Sequence, residues 1–181
     1  DRTNIPAVLS IAGSDSSGGA GIQADIKTIT AHRLFAETAI TAITAQNTKG
    51  VTAVQDISPD IVAAQIDAVF DDIRPAAVKI GMVSSAAIIE AIADRLETWN
   101  AQNIVVDPVM VATSGARLIA EDAAEALTRR LFPLATVITP NIPEAMALLD
   151  YEVDSERTQQ NAAVLLANRF GCAALVKGGH F

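Results

Sequence analysis

Cysteine and aromatic residues are scarce in this chain of 181 residues, and it has no long uninterrupted apolar segment. The single cysteine, Cys172, cannot form an intrachain disulfide framework, which favours a reducing compartment and predicts a cytoplasmic protein. Every apolar run is interrupted well before the roughly 20 residues that a helix needs to span a bilayer. These shortages argue against a disulfide-stapled secreted domain and predict that the protein has no membrane partner.

Positive charge is also in short supply. The 13 lysines and arginines stand against 21 aspartates and glutamates, which gives a formal net charge of −8. An acidic surface without a local basic cluster repels nucleic acid, so we expect no nucleic-acid partner. It also repels free nucleotides, so a nucleotide site must depend on a few placed lysines, loop amides, helix N-termini and a bridging cation.

What the sequence does contain is aliphatic runs of strand length that alternate with helical patterns. The runs are 7–11, 39–45, 77–80, 104–106, 136–138 and 173–176, and the predicted helices lie near 20–31, 60–71, 86–98, 121–131, 143–149 and 158–169. This alternation indicates βαβ units with right-handed crossovers and a parallel sheet buried between helices. The length suits one domain over residues 1–181.

Each aliphatic run is followed by polar residues or glycine. Gly13 follows the first run, Gln46 the second, Asp107 the fourth, Asn141 the fifth and Lys177 the sixth. The carboxyl ends of parallel strands share one edge of the sheet, where open α/β sheets bind ligands. Polar residues and glycines are also common at strand ends that have no function, but six such groups together favour a binding site.

A glycine-rich loop runs from Ala12 to Gly21 and leads into the first helix. Its amides could hold an anion or let a substrate approach the backbone closely. A dinucleotide fingerprint fits from Gly19 onward, but its first glycine should directly follow the strand. A P-loop spacing fits from Gly13 to Gly18, but the required lysine and hydroxyl are missing. We therefore reject both assignments.

Two side chains near this loop have open interpretations. Asp25 could stabilise the start of the first helix through the helix dipole, or it could accept a hydrogen bond from a substrate. Gln46 offers a donor and an acceptor together, which is the complement of an aminopyrimidine edge, but it could equally be a turn amide.

The segment Thr139 to Glu144 is similarly ambiguous. Asn141 and Glu144 could form a capping box, or their oxygens could bind a water-coordinated Mg²⁺. Lys177 stands at a strand end ahead of glycines, where a cation suits a phosphate group. His32 and His180 have no metal-ligand spacing, and no Ser-His-Asp arrangement is visible.

Taken together, these segments resemble the thiamine-pathway pyrimidine kinases of the ribokinase superfamily. The matching segments are IAGSDSSGGAGIQAD (11–25), AQNT (45–48), KIGM (79–82), DPVM (107–110), TPNIPEA (139–145) and KGGH (177–180). The resemblance implies a three-layer α/β/α fold with a mostly parallel sheet. It also implies ATP-dependent phosphorylation of 4-amino-5-hydroxymethyl-2-methylpyrimidine and then of its monophosphate, with Mg²⁺, in a homodimer.

The resemblance also implies roles for individual residues. Gln46 would grip the pyrimidine with Asp25 nearby, and the cavity walls would be Gly13, Ala20, Met82 and Val109. The nucleotide phosphates would face Asn141, Glu144, Lys177 and Asp107, with Mg²⁺ held through water by Asn141 and Glu144. These groups suit phosphoryl transfer, which needs chiefly positioning and charge neutralisation.

One expected feature is missing from the sequence. Members of this family continue to a glycine-rich loop that forms an anion hole and carries the residue next to the attacking hydroxyl, and nothing like it precedes Phe181. We therefore expect the chain to be C-terminally incomplete and, by itself, essentially inactive with weak ligand binding, because losing even one anion-hole donor costs roughly 10²–10³ in rate. Two alternatives stay open: a pyridoxine or pyridoxal kinase of the same fold, and a non-catalytic ligand-binding remnant.

Overall fold

The structure is a computed structural model that describes residues 5–110 and 119–178. Its strands are β1 (Ala7–Ala12), β2 (Phe35–Ile40), β3 (Ala42–Asn47), β4 (Gly50–Asp56), β5 (Ala77–Ile80), β6 (Ile104–Val106), β7 (Val137–Ile138) and β8 (Ala173–Ala174). Its α-helices are α1 (Gly21–Ala31), α2 (Pro59–Asp72), α3 (Ala86–Thr98), α4 (Glu121–Ala126), α5 (Ile142–Leu149) and α6 (Glu156–Phe170).

Six of the strands form one sheet in the order β2-β1-β5-β6-β7-β8, and every pairing in it is parallel. The predicted α/β class with a parallel central sheet is therefore confirmed. The helices α2, α3 and α4 pack side by side. Helix α1 lies over the face of the sheet that carries Ser10 and Lys79, because its Asp25 bonds both of them.

Side chains on one face of β1 and β5 contribute to the core. Leu9 and Ile11 of β1 and Val78 and Ile80 of β5 are all buried, and they join the same apolar cluster as the isoleucines of α3. The intervening residues, Ser10 and Lys79, are paired across the two strands. Burying one large aliphatic side chain contributes about 1.5–3 kcal/mol, so this face supplies much of the folding free energy.

The prediction of a single strand over residues 39–45 is wrong. The chain leaves the central sheet at Thr41, and the run is divided between β2 and β3. Strand β3 pairs antiparallel with β4 in a separate two-stranded sheet, and β4 had not been predicted at all. All seven residues of β4 are exposed, so it lacks the aliphatic burial pattern that identified the other strands.

Two further predicted elements differ in length or type. The helix predicted over 121–131 is α-helical only to Ala126 and continues as a π-helical turn, Leu127–Leu131, and a 3₁₀ turn, Phe132–Leu134. Strand β8 ends at Ala174 rather than at residue 176. Among the described residues, no helix combines the length and the hydropathy that a bilayer span requires.

Candidate active site

Backbone hydrogen bonds continue the sheet by one residue beyond its strands at the carboxyl edge. The amides of Thr41, Gly81, Asp107 and Thr139 donate at 2.9–3.0 Å to carbonyls in the last two residues of the neighbouring strands, namely those of Ala12, Ile11, Ile80 and Val106. These bonds fix the first residue after several strands in one row. The row is the rim on which the strand-end residues were expected to meet.

A cavity of about 260 Å³ opens at this rim. It is lined by six of the predicted site residues, which are Gly13, Ala20, Gln46, Met82, Asp107 and Val109. A volume of this size suits a single small ring compound. The structure thus brings residues from the glycine loop, from β3 and from the ends of β5 and β6 around one space.

The glycine loop is organised by a carboxylate of its own. Asp15 accepts hydrogen bonds from the amides of Ser17, Gly19 and Ala20 and from the Ser17 hydroxyl, at 2.8–3.0 Å. The Ser17 hydroxyl and these amides hold the pKa of Asp15 below its usual value, against the opposing effect of burial. The sequence suggested that the loop amides could hold an external anion, but Asp15 already occupies three of them.

The same loop is tied to β3, which covers the cavity. The Ser14 amide donates to the Ala42 carbonyl, and the Thr44 hydroxyl donates to the Ser14 carbonyl at 2.6 Å. The Ser16 hydroxyl both donates to and accepts from the backbone of Gln46. These bonds hold the Gln46 backbone in place at the cavity.

The sequence predicts that Gln46 follows a strand of the central sheet. This prediction is wrong. It lies in β3, where a bulge between Ala45 and Gln46 interrupts the pairing with β4. Its Oε1 lies 3.2 Å from the Thr44 hydroxyl, and its side chain reaches the cavity wall. A strand that leaves the sheet therefore delivers the amide to the same cavity.

Asp25 reaches the cavity only through other residues. Its Oδ2 accepts from the Ser10 hydroxyl at 2.6 Å and from Lys79 Nζ at 2.8 Å, and Lys79 in turn lines the cavity. In the sequence, Lys79 stands out only as part of the matching segment 79–82, without a predicted role of its own. The signal was available, because a lysine inside a buried aliphatic strand is unusual.

A second ion pair links the predicted phosphate-side residues. Lys177 Nζ donates to Asp107 Oδ1 at 2.7 Å, and Thr139 donates to the same oxygen at 3.2 Å. An isolated parallel bridge joins Asn141 and Lys177, so the lysine is held beside the strand end although β8 has finished. Gly179 and His180 of the same segment lie outside the described residues.

Asn141 and Glu144 form the capping box that was one of the two interpretations. Asn141 Oδ1 accepts from the Glu144 amide, and Glu144 Oε2 accepts from the Asn141 amide, both at 2.8 Å. Glu144 Oε1 accepts from the amide of Met110 at 3.1 Å, which connects α5 to the end of the segment after β6. The capping interpretation is therefore confirmed, and the binding of a water-coordinated Mg²⁺ by the same pair stays a prediction.

Comparison with known proteins agrees with this arrangement. The profile of the phosphomethylpyrimidine kinase family matches residues 15–181. The chain belongs to the phosphomethylpyrimidine kinase family. A hydroxymethylpyrimidine/phosphomethylpyrimidine kinase of Rhizobium meliloti (strain 1021) is 54% identical over 175 residues, which cover 95% of this chain and 65% of the relative. The chain therefore spans less than two thirds of the length of that relative.

Solved structures of phosphomethylpyrimidine kinases and pyridoxal kinases share the fold. A phosphomethylpyrimidine kinase from Clostridium difficile 630 superimposes with a TM-score of 0.92 at 49% identity, covering 97% of this chain and 76% of that one. A Bacillus subtilis pyridoxal kinase in complex with ADP gives 0.84 at 36% identity, covering 97% and 66%. The ribokinase-like fold expected from the sequence is confirmed.

Proposed function

We propose that the protein carrying this chain is an ATP-dependent kinase of the thiamine pathway. It phosphorylates the hydroxymethyl group of 4-amino-5-hydroxymethyl-2-methylpyrimidine and then phosphorylates the resulting monophosphate. The observation that carries the proposal is that Gln46 and Asp107 line the same cavity, and that Lys177 is bonded to Asp107. Identity of 54% to a kinase named for both substrates supports the choice of this reaction.

The pyrimidine occupies the cavity in this proposal. Gln46 supplies the amide that pairs with the aminopyrimidine edge, and Gly13, Ala20, Met82 and Val109 form the walls. Gly13 contributes to the fit because a Cβ there would lie 3.5 Å from Met82 Cε, in ordinary contact, and would narrow the cavity. Asp25 acts indirectly, by holding Lys79 at the cavity wall.

The nucleotide lies on the side of Lys177 in this proposal. Lys177 neutralises phosphate charge, and Asp107, Asn141 and Glu144 supply oxygen atoms of the kind that Mg²⁺ prefers when it keeps several of its waters. Magnesium, when bound, neutralises charge on the transferred phosphoryl group. Among the described residues, no three histidine, cysteine, aspartate or glutamate side chains cluster as a metal site.

The test uses the full-length gene product that carries this sequence. Incubation with the pyrimidine, ATP and Mg²⁺ should yield the monophosphate and then the diphosphate. Gln46→Ala should weaken pyrimidine binding about tenfold, because the ring loses its paired donor and acceptor. Gln160→Ala removes an exposed amide of α6 and serves as the control. Unchanged affinity in Gln46→Ala would remove Gln46 from the site, and absence of both products would end the kinase proposal.

A pyridoxal kinase is the second candidate, because the Bacillus subtilis pyridoxal kinase shares the fold at 36% identity. Comparing kcat/KM for the pyrimidine with that for pyridoxal decides between them, and we expect the pyrimidine to be preferred. A non-catalytic binding remnant would bind the pyrimidine without turnover. The homodimer, the cytoplasmic location and the near-inactivity of the 181-residue chain alone stay predictions.

A further inference from the structure

Lys79 occupies a position where a charged side chain needs a specific reason. It lies in β5, which is paired on both sides, with Ser10 of β1 and Val105 of β6 as its direct neighbours. Lysine is rarely placed inside a central strand, because removing the ammonium from water is unfavourable. Its side chain is nevertheless 31% exposed, and Lys79 is one of the residues that line the cavity.

The ion pair with Asp25 leaves part of the ammonium unused. An ammonium carries three N–H donors, and Asp25 Oδ2 takes one of them at 2.8 Å. Within the part of the chain that the structure describes, Lys79 Nζ has no other hydrogen-bond partner. Asp25, whose Oδ2 is also bonded by Ser10, therefore fixes the position of Nζ, and two donors of Nζ have no partner among the described residues.

The next glycine along the chain makes room for this ammonium. A Cβ placed on Gly81 would lie 3.0 Å from Lys79 Nζ and 3.0 Å from Ala12 Cβ, which is closer than side chains normally approach. Gly81 also lines the cavity. Because residue 81 has no side chain, Lys79 can hold this position at the cavity wall while it is paired with Asp25.

The charges around the cavity leave a clear role for Lys79. Among the described residues that line it, the charged ones are Asp15, Asp107 and Lys79, so Lys79 is the single cation there. Asp15 is saturated by the glycine-loop donors, and Asp107 is paired with Lys177. Of the described residues that line the cavity, Lys79 is therefore the one that offers an anionic group on a bound ring a cation with spare donors.

We propose that Lys79 is the contact for a phosphate monoester carried by the substrate in this cavity. This inference rests on the proposed function and extends it, because it assigns the second substrate, the monophosphate, a recognition residue that the first substrate does not require. The unphosphorylated alcohol binds through Gln46 and the cavity walls. The monophosphate binds through the same contacts and adds hydrogen bonds from the free donors of Lys79.

The experiment compares two ligands on one set of variants of the full-length gene product. Calorimetry gives the Kd of the hydroxymethylpyrimidine and of its monophosphate for the wild type, Lys79→Met and Lys79→Arg. Loss of a charge-assisted contact should weaken monophosphate binding on the order of tenfold to a hundredfold in Lys79→Met. The alcohol should change by less than about threefold, since it loses no such contact. Lys79→Arg keeps the charge and should recover part of the monophosphate affinity.

Two further variants separate recognition from folding. Lys79→Met leaves Asp25 without its cation, so the double variant Asp25→Asn with Lys79→Met is used to remove both charges. This double variant should show the same selective loss of monophosphate affinity. It should also unfold near the wild-type temperature. Lys27→Met is the matched control, because Lys27 is a lysine of α1 that bonds the Gly18 carbonyl and does not line the cavity. It should leave both Kd values unchanged.

The outcomes distinguish this inference from the proposed function. A wild type that binds neither ligand would remove the proposed function and the inference with it. Binding of both ligands, weakened equally in the folded double variant, would leave the kinase proposal standing and overturn the role of Lys79. Selective loss of the monophosphate, with unchanged Lys27→Met, supports it.

Discussion

Gly21 is the residue at which backbone conformation and space are most tightly restricted. It begins α1 with φ +57°, in the left-handed region, and a Cβ there would lie 2.3 Å from the Gly13 carbonyl oxygen. The same carbonyl accepts the Ile22 amide at 3.0 Å, so it cannot move away without losing that bond. The closeness of the glycine loop to the start of α1 therefore depends on a missing side chain.

Gly21→Ala should lower the free energy of unfolding by more than the roughly 1–2 kcal/mol expected from left-handed strain alone. Gly171→Ala is the matched control, because Gly171 ends α6 at φ +69° with nothing within 4 Å of its Cβ position. Urea unfolding of both variants isolates the effect of the collision with Gly13. Equal losses in the two variants would show that the loop can relax around the added methyl group.

At the residue scale, the strand-end rule predicted positions better than it predicted contacts. It placed Gly13 and Asp107 correctly at the rim, because both follow strands of the central sheet directly. It could not show that Asp15 turns back onto the amides of its own loop, since that depends on loop conformation. It also did not identify Lys79, because the partner that positions this lysine, Asp25, is 54 positions away in the sequence.

At the scale of elements, the exit of the chain from the sheet after β2 is the decisive event. The edge strand β2 ends at Ile40, whose backbone groups face a side chain instead of another strand. Gln65 of α2 accepts from the Ile40 amide at 2.8 Å and donates to the Ile40 carbonyl at 3.0 Å. The side-chain amide of Gln65 thus takes the place of a neighbouring strand, just before β3 begins.

Gln65→Ala should lower the free energy of unfolding by about 1–3 kcal/mol, because it leaves two partly buried backbone groups without a partner. Hydrogen exchange at the Ile40 amide should accelerate more than exchange at the amides of β5, which lies inside the sheet. The Gln160→Ala variant, which removes a helical amide that is exposed, should alter neither measurement. Unchanged exchange at Ile40 would mean that water replaces Gln65 without loss.

The sequence could not predict this exit. The run from Ala39 to Ala45 is aliphatic enough for one strand, and aliphatic pattern alone does not distinguish one strand from two that belong to different sheets. The deciding groups are Thr41, whose amide still bonds the central sheet, and Gln65, which comes from a helix later in the chain. The sequence did not predict strand β4 either, because all of its residues are exposed and it therefore has no pattern of buried aliphatic residues.

At the scale of the whole molecule, the alternation of buried strands and helices was enough to predict the parallel sheet and its binding edge. The alternation did not predict that the edge strand β2 buries a carboxyl group. Glu37 of β2 is only 9% exposed, and within the described residues its Oε2 has no hydrogen-bond partner. Burial, with a smaller effect from the charge of Asp72, raises the pKa of Glu37 to about 7.

Glu37 should therefore make the stability of the molecule fall as pH rises. In the unfolded chain this carboxyl ionises near its ordinary pKa of 4.5, so between 4.5 and about 7 the folded state binds more protons than the unfolded state. The stability that the protonated group contributes is fully present below pH 4.5 and is lost as pH rises through about 7. At about 1.4 kcal/mol for each pKa unit, the loss amounts to about 3 kcal/mol.

Glu37→Gln keeps the shape of the side chain without a titrating proton, so its stability should change much less over the same interval. Urea unfolding at a series of pH values from about 5 to about 8 measures the two slopes directly. Asp72→Asn, which removes only the smaller of the two causes, should give an intermediate slope. A Glu37→Gln variant with the slope of the wild type would mean that Glu37 finds water or a partner in the folded molecule, and that its charge is accommodated at the edge of the sheet.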